Sequence, residues 1–264
     1  MRLKDKIAVI TGAGSGMGKA MSTLFTLEGA KVICADVTGN QNAVAAALGD
    51  LAAPVHCDIA SEADVQRMIA MAETEFGRLD ILINNAGLSG GAKPLHERTA
   101  EEWDRVHEVN LRGTFFCMKY GVISMLKNGG GAIVNIGSAA GVVGWKHLSV
   151  YGATKAGVHQ LTKAAALDYA KSNIRVNAIA PGTIWTGAIK AAKQHEAPPP
   201  GAARQPGIPL DRWGLAIHVA NAALFLASDE AAYITGVVLP VDGGYTIGFS
   251  GMGAENTGAG GGQQ

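Results

Sequence analysis

The chain has 264 residues, 48% of them hydrophobic, with 22 basic and 22 acidic side chains, which suits one large α/β domain and excludes a net field for gathering nucleic acid, an anionic membrane or a highly charged substrate. No stretch approaches the ~20 apolar residues of a membrane span, and the apolar run at 7–10 is too short for a signal core. Three scattered cysteines, Cys34, Cys57 and Cys117, lack metal-ligand spacing and suit a reducing cytosol, so the expected location is the cytoplasm and no metal is expected.

A β-branched run at 7–11 is the first predicted strand. It leads into Thr11-Gly12-Ala13-Gly14-Ser15-Gly16-Met17-Gly18 and an apolar-periodic helix that starts near Gly16. A second strand at 31–36 ends on Asp36, and a third at 55–58 ends on Asp58, followed by Ile59. Ser61 with Asp64, and Thr99 with Glu102, have capping-box spacing ahead of helices. Between them a fourth strand at 79–84 runs into Asn84-Asn85-Ala86-Gly87. A long helix over 102–126 carries Asn110, a fifth strand at 132–136 leads to Ser138, and a helix over 149–169 carries Tyr151 and Lys155. The sixth strand, 175–179, opens into Pro181-Gly182 and an irregular insert, 186–213, whose proline run at 198–200 forbids regular helix and which is read as a lid. A seventh strand at 237–241 ends the alternation, and the glycine-rich tail 251–264 is expected to be disordered. Continuous apolar strands alternating with helices predict a single Rossmann-type, doubly wound α/β domain over 1–250: a seven-stranded parallel sheet with helices on both faces.

Glycines between a strand and a helix let the backbone turn sharply and approach a pyrophosphate, whose charge meets the free N–H groups of the helix start. Asp36, at the expected distance beyond them, suits a carboxylate that accepts the adenosine ribose hydroxyls, which favours NAD over a 2′-phosphorylated cofactor. Neither Val37 nor Ser15 supplies a cation to offset such a phosphate. Asp58 occupies a similar place after its strand, where it would hold the adenine amino group or cap a turn.

Tyr151 and Lys155, four apart on a helix, share one face. A tyrosine titrates near pH 10, and exchanging a proton near neutrality needs a shift of ~3 units, about 4 kcal/mol, for which a nearby ammonium is the direct means. Spacing alone also fits two surface residues on an amphipathic helix, and the surrounding motifs decide against that reading.

From Lys6 to Tyr245 the chain resembles the short-chain dehydrogenase/reductase family. The matching motifs are Thr11 to Gly18, Asp58, Asn84-Asn85-Ala86-Gly87, Asn110, Ser138, Tyr151 with Lys155, and Pro181-Gly182. The resemblance implies that Ser138 hydrogen-bonds the substrate oxygen and that Tyr151 exchanges the hydroxyl proton while hydride moves to or from a nicotinamide. It implies that Lys155 lowers the tyrosine's pKa and grips the nicotinamide ribose, and that Asn110 holds a relay water. Asn85, Ala86 and Gly87 would line the adenosine side, with Gly12, Ser15, Gly16, Met17, Gly18, Asp36, Asp58 and Ile59. Pro181, Gly182, Thr183, Ile184 and Thr186 would face the nicotinamide. The chain departs from the family pattern at Gly187, often proline, at Gly137, often serine, and at Met17, usually isoleucine; none removes a catalytic group.

Substrate is expected beyond the strands' carboxyl ends, near 89–93, 139–147 and 185–213. These loops carry few charges, which points to a neutral, apolar, cyclic secondary alcohol or ketone with Trp145 and Trp185 as walls; His147 there reads as a surface residue. Excess apolar surface on the two long helices suggests association, and the resemblance points to a homotetramer. The rival readings are an NADPH-dependent carbonyl or 3-oxoacyl reductase of the same family and a non-catalytic dinucleotide sensor.

Overall fold

A computed structural model of the chain describes residues 1–186, 198, 205 and 207–248. Most of the irregular insert, with Gly187, and the tail 251–264 lie outside the described residues. The strands in chain order are β1 Ile7–Thr11, β2 Lys31–Asp36, β3 Ala52–His56, β4 Ile81–Asn84, β5 Gly131–Ile136, β6 Ile174–Pro181, β7 Ile184–Trp185, β8 Gly214–Leu215 and β9 Val238–Val241. The helices are α1 Gly16–Leu27, α2 Gln41–Leu48, α3 Glu62–Phe76, α4 Ala100–His107, α5 Thr114–Lys127, α6 Ser149–Tyr169 and α7 Ala216–Ala227.

Every residue of β1 and β4 is buried, as expected for strands covered on both faces. Seven strands form one sheet in the order β3-β2-β1-β4-β5-β6-β9, every pair parallel. The predicted Rossmann-type architecture is therefore present. One face packs Ile10 and Ile83 against Met21, Phe25, Val219 and Leu224 of α1 and α7. The other packs Val9, Leu82 and Ile133 against Met68, Ile69, Val122 and Met125 of α3 and α5. The winding reverses between β1 and β4, which opens a crevice at the strands' carboxyl ends where ligands bind in such sheets.

Several boundaries differ from the sequence expectation. The third strand lies at Ala52–His56 instead of 55–58, at the sheet edge, where Pro54 is tolerated because its missing N–H faces no partner. Asp58 is consequently two residues past the strand. The expected helix over 102–126 is interrupted by a π-helical turn, Glu108–Gly113, between α4 and α5. A short parallel pair, β7 with β8, brackets the insert and was invisible as a two-residue pattern. The two helix caps match: Ser61 accepts the Asp64 N–H, and Thr99 with Glu102 forms a complete capping box. Among the described residues no helix is long and apolar enough to cross a membrane.

The entry to the central strands is held by Asp80. Its Oδ2 accepts the Ile7 N–H at 2.9 Å, and its carboxylate pairs with Arg78. Asp80→Ala leaves a buried N–H unpaired and is expected to lower stability by about 2 kcal/mol, measured by urea unfolding. Asp80→Asn, which keeps an acceptor, should lose less.

Candidate active site

Helix α1 starts without a side-chain cap: Ser15 stands at the N-cap in extended backbone, and the first turn carries no acidic residue. Its leading amides are open to an anion. The preceding turn needs glycine at two points above all. Gly12 has φ +66°, and a Cβ there would stand 2.7 Å from Asn85 Nδ2; any side chain on Gly18 would overlap the Gly12 carbonyl. Asn85 is locked to the turn through hydrogen bonds from its Nδ2 to the carbonyls of Thr11 and Gly12, at 2.9 and 3.3 Å. Asp36 ends β2 beside the turn, its Oδ2 accepting the Gly14 N–H at 2.9 Å and its Oδ1 the N–H and hydroxyl of Thr38.

A cleft of about 370 Å³ gathers Gly12, Ser15, Gly16, Met17, Asp36, Asp58, Ile59, Asn85, Ala86, Gly87 and Thr186 along one wall system. Of the other residues expected to face a cofactor, Gly18 forms the packing behind the turn and Pro181 ends β6. Gly182 packs on Asp242, and Ile184 lines a neighbouring cleft of about 540 Å³ with Trp213. Asp58 plays both parts considered for it, lining the cleft while its Oδ1 accepts the Ala60 N–H. The buried Oδ1 of Asn85 has no partner. Open helix amides, a glycine cradle, a strand-end acid and an orphaned acceptor together fit a dinucleotide.

Six further residues line the cleft that the sequence reading did not place there: Val37, Thr38, Cys57, Leu88, Arg105 and Val109. Arg105 and Val109 are four apart, so one face of α4 and the π turn points into the cleft. The spacing shows a shared face but not what the face meets. Arg105 also pairs with Glu108 at 3.2 Å.

Ser138, Tyr151 and Lys155 meet beyond the end of β5. Tyr151 and Lys155 lie one turn apart on α6, with Lys155 Nζ 5.7 Å from the Tyr151 ring centroid. The ammonium donates to the Ile136 carbonyl at 2.8 Å. Ser138 hydrogen-bonds Tyr151, and its Oγ accepts the Ala140 N–H at 3.1 Å. The electrostatics depart from expectation. Burial pushes the Tyr151 phenol up, and the Ser138 hydrogen bond offsets only part of that. Burial likewise brings Lys155 down to about 8. Desolvation penalises both ionised forms, so in the free chain the lysine does not draw the phenol below its ordinary range.

Asn110 is fully buried within the π-helical turn. Its Oδ1 accepts the Leu88 N–H at 2.9 Å, while its Nδ2 donates to Leu88 O at 2.8 Å and Thr154 Oγ1 at 3.2 Å. Thr154 donates in turn to the Tyr151 carbonyl at 2.7 Å. Both amide hydrogens of the side chain are used within the protein. Through them the residue ties the turn after β4 to the first turn of α6.

Of the two tryptophans expected to wall the substrate, Trp145 packs edge-on to Tyr245 at 5.1 Å between centroids and Trp185 to Trp213 at 5.0 Å. Trp185 is buried, and both indole N–H groups of Trp145 and Trp185 are buried without partners. His147 is exposed, with φ +67°; its carbonyl accepts the Lys93 N–H and a guanidinium hydrogen of Arg98. It joins the loop at 89–93 to the loop before α6 through its backbone.

The lysine's burial predicts a stability cost. With the folded pKa near 8 and the unfolded value near 10.5, the folded chain holds fewer protons between those values, so this group's penalty is full below pH 8 and fades toward 10.5. Lys155→Met is expected to be more stable than the native chain at pH 7 by about 2 kcal/mol, the gap closing in urea unfolding as pH rises through that window. A less stable variant at pH 7 would contradict the burial cost.

The family profile described as enoyl-(acyl carrier protein) reductase matches residues 12–246. The chain is 43% identical over 245 residues to the cis-4-hydroxycyclohexanecarboxylate dehydrogenase of Sinomonas cyclohexanicum, covering 92% of this chain and 97% of that one. The crystal structure of levodione reductase superposes with a TM-score of 0.86 at 36% identity, covering 94% of this chain and 100% of that one. A 3-ketoacyl-(acyl-carrier-protein) reductase from Brucella melitensis, complexed with NADH, gives 0.86 at 36% identity over 92% and 99% of the two chains. With the fold, the glycine turn and the Ser138–Tyr151–Lys155 cluster in place, the chain belongs to the short-chain dehydrogenase/reductase family and is an oxidoreductase.

Proposed function

We propose that the protein interconverts a secondary alcohol and a ketone with NAD(H). The observation that carries this reading is the meeting of Ser138, Tyr151 and Lys155 beside the cleft that has the glycine turn on one wall and Asp36 at the end of β2. The turn at Gly12–Gly18, Asp36 and Asn85 would hold a nicotinamide dinucleotide, which would supply the hydride acceptor in one direction and the donor in the other. Tyr151 takes the proton of the alcohol or returns it to the ketone oxygen. Ser138 donates a hydrogen bond to that oxygen as charge develops on it. Lys155, protonated at neutral pH with a pKa near 8, gives the phenolate a nearby positive charge and carries a transferable proton. Asn110 keeps this face of α6 in register with the turn at Leu88.

Asp36 supports NAD because a 2′-phosphate would crowd its carboxylate. Arg105 in the same cleft is the observation that favours the second reading, an NADPH-dependent carbonyl or 3-oxoacyl reductase. The paired indoles of Trp145 and Trp185 support an apolar substrate, and the relative named for a hydroxycyclohexane ring supports a cyclic one. The cytoplasm is the compartment that suits three buried free thiols.

A groove of about 880 Å³ runs between α6 and the α4–α5 segment, lined by Leu111, Phe115 and Leu161 with Asp104 and Arg112 at its rim. It supports self-association, with a homotetramer as the assembly. Sedimentation at micromolar concentration should give a four-fold mass, reduced by Phe115→Glu; a native monomer would contradict it.

Initial rates with cyclohexanol and cyclohexanone should favour NAD(H) over NADP(H) by at least about ten-fold. Tyr151→Phe should lower kcat by about a thousand-fold while NADH still binds. Preference for NADP(H) would transfer the assignment to the second reading.

A further inference from the structure

His159 lies one turn beyond Lys155 on α6, 6% exposed, behind the loop that presents Ser138. The β5–β6 ladder runs out at Gly137, whose N–H donates to the Ile179 carbonyl at 2.8 Å. The next amide, that of Ser138, turns away from the sheet and donates to His159 Nε2 at 3.4 Å. The ring occupies the space that a side chain at Gly137 would need, since a Cβ there would overlap Nε2. Gly141, at the other end of the loop, lies against the α6 backbone: a Cβ there would stand 2.7 Å from the Lys155 carbonyl carbon, 2.8 Å from the Ala156 nitrogen and 2.9 Å from the ring's Cε1. Gly137 is thus more than a neutral departure from the family's serine: the imidazole fills its place.

We propose that His159 is a positioning residue for Ser138, its ring seated between Gly137 and Gly141 and accepting the Ser138 N–H, so that the serine hydroxyl is held toward Tyr151. The inference rests on the alcohol–ketone reading for its kinetic consequence, while its structural part stands alone. Accepting that hydrogen bond requires an unprotonated Nε2, and burial, with the nearby Lys155 charge, keeps His159 near 4. The imidazole is therefore neutral wherever the enzyme would work. The Ser138 backbone is extended, with φ −168° and ψ 153°, and its Oγ is steered by the Ala140 N–H, so a shift of the amide carries the hydroxyl with it. Small misplacements of a group at the reacting atoms are costly to rate.

The test compares native enzyme, His159→Ala, His159→Gln, Gly137→Ser and the Gly137→Ser/His159→Ala double variant. Amide exchange at Ser138 should be slow in the native protein and faster in His159→Ala. With cyclohexanone and NADH, His159→Ala should lose about ten-fold in kcat with the NADH dissociation constant within about two-fold, and His159→Gln, whose amide oxygen can accept, should recover most of it. Gly137→Ser should lower the thermal midpoint strongly in the native background and little in the His159→Ala background, a non-additive pair. If His159→Ala does not fold, the two serine-bearing proteins still decide through their midpoints. An unprotected Ser138 amide in the native enzyme, a kcat unchanged in folded His159→Ala, or additive effects of the two substitutions would overturn the proposal. Absence of turnover in the native enzyme would count against the alcohol–ketone reading and leave the exchange and midpoint results to judge His159.

Discussion

The buried ammonium of Lys155 is the constraint around which this site is built. It has left water for the seam between β5 and α6, where the Ile136 carbonyl accepts from it and burial lowers its pKa to about 8. A charge in such a place costs stability, so its neighbours must be shaped to keep it there. Gly87 is one example: a Cβ would stand 3.4 Å from Nζ and 3.0 Å from Asn110 Oδ1, so the bare backbone lets the lysine and the asparagine approach. Asn110 then binds the Leu88 backbone on one side and Thr154, next to Lys155, on the other. The π-helical turn that breaks the α4–α5 helix is where this asparagine sits, consistent with the tendency of such turns to occur at functional sites.

The sheet supplies the common ground for binding and chemistry. Winding reverses between β1 and β4, so the turn after β1, the acid after β2 and the loops after β4 and β5 all emerge on the same edge. In the proposed function the glycine turn and its uncapped helix form the cofactor side, and Ser138, Tyr151 and Lys155 form the reactive side. Aromatic pairs from the β5–α6 loop and from the segments flanking the insert lie beyond them. A rigid edge holds the polar groups, and the longer loops shape what reaches them.

Strands buried on both faces were legible because their patterns are continuous: β1 and β2 fall where the apolar runs place them, and α6 spans its full predicted length. β3 was displaced because an edge strand has a weak pattern and Pro54 masks its start. The break in the long helix was hidden, since Glu-Val-Asn-Leu-Arg-Gly reads as ordinary helix and the π turn is set by what Asn110 must reach. In the site, strong local motifs identified Gly12 to Gly18, Tyr151 and Lys155. Arg105 and His159 were not identified, because their positions acquire meaning only when α4 closes over the cleft and α6 packs behind Ser138. In the free chain the Tyr151 phenol is pushed up; spacing reveals the neighbouring charge and conceals the burial that opposes it.

The proposed reaction is direct hydride exchange between a carbinol carbon and a nicotinamide ring, with proton exchange left to the protein. Its most direct test follows a deuterium label placed on the carbinol carbon of cyclohexanol and of a panel of other secondary alcohols, incubated with the enzyme and oxidised dinucleotide. Mass spectrometry should find the label on the reduced nicotinamide ring and none released to water. Label appearing in solvent, ketone formed without dinucleotide reduction, or tight dinucleotide binding with no turnover across the panel would contradict it.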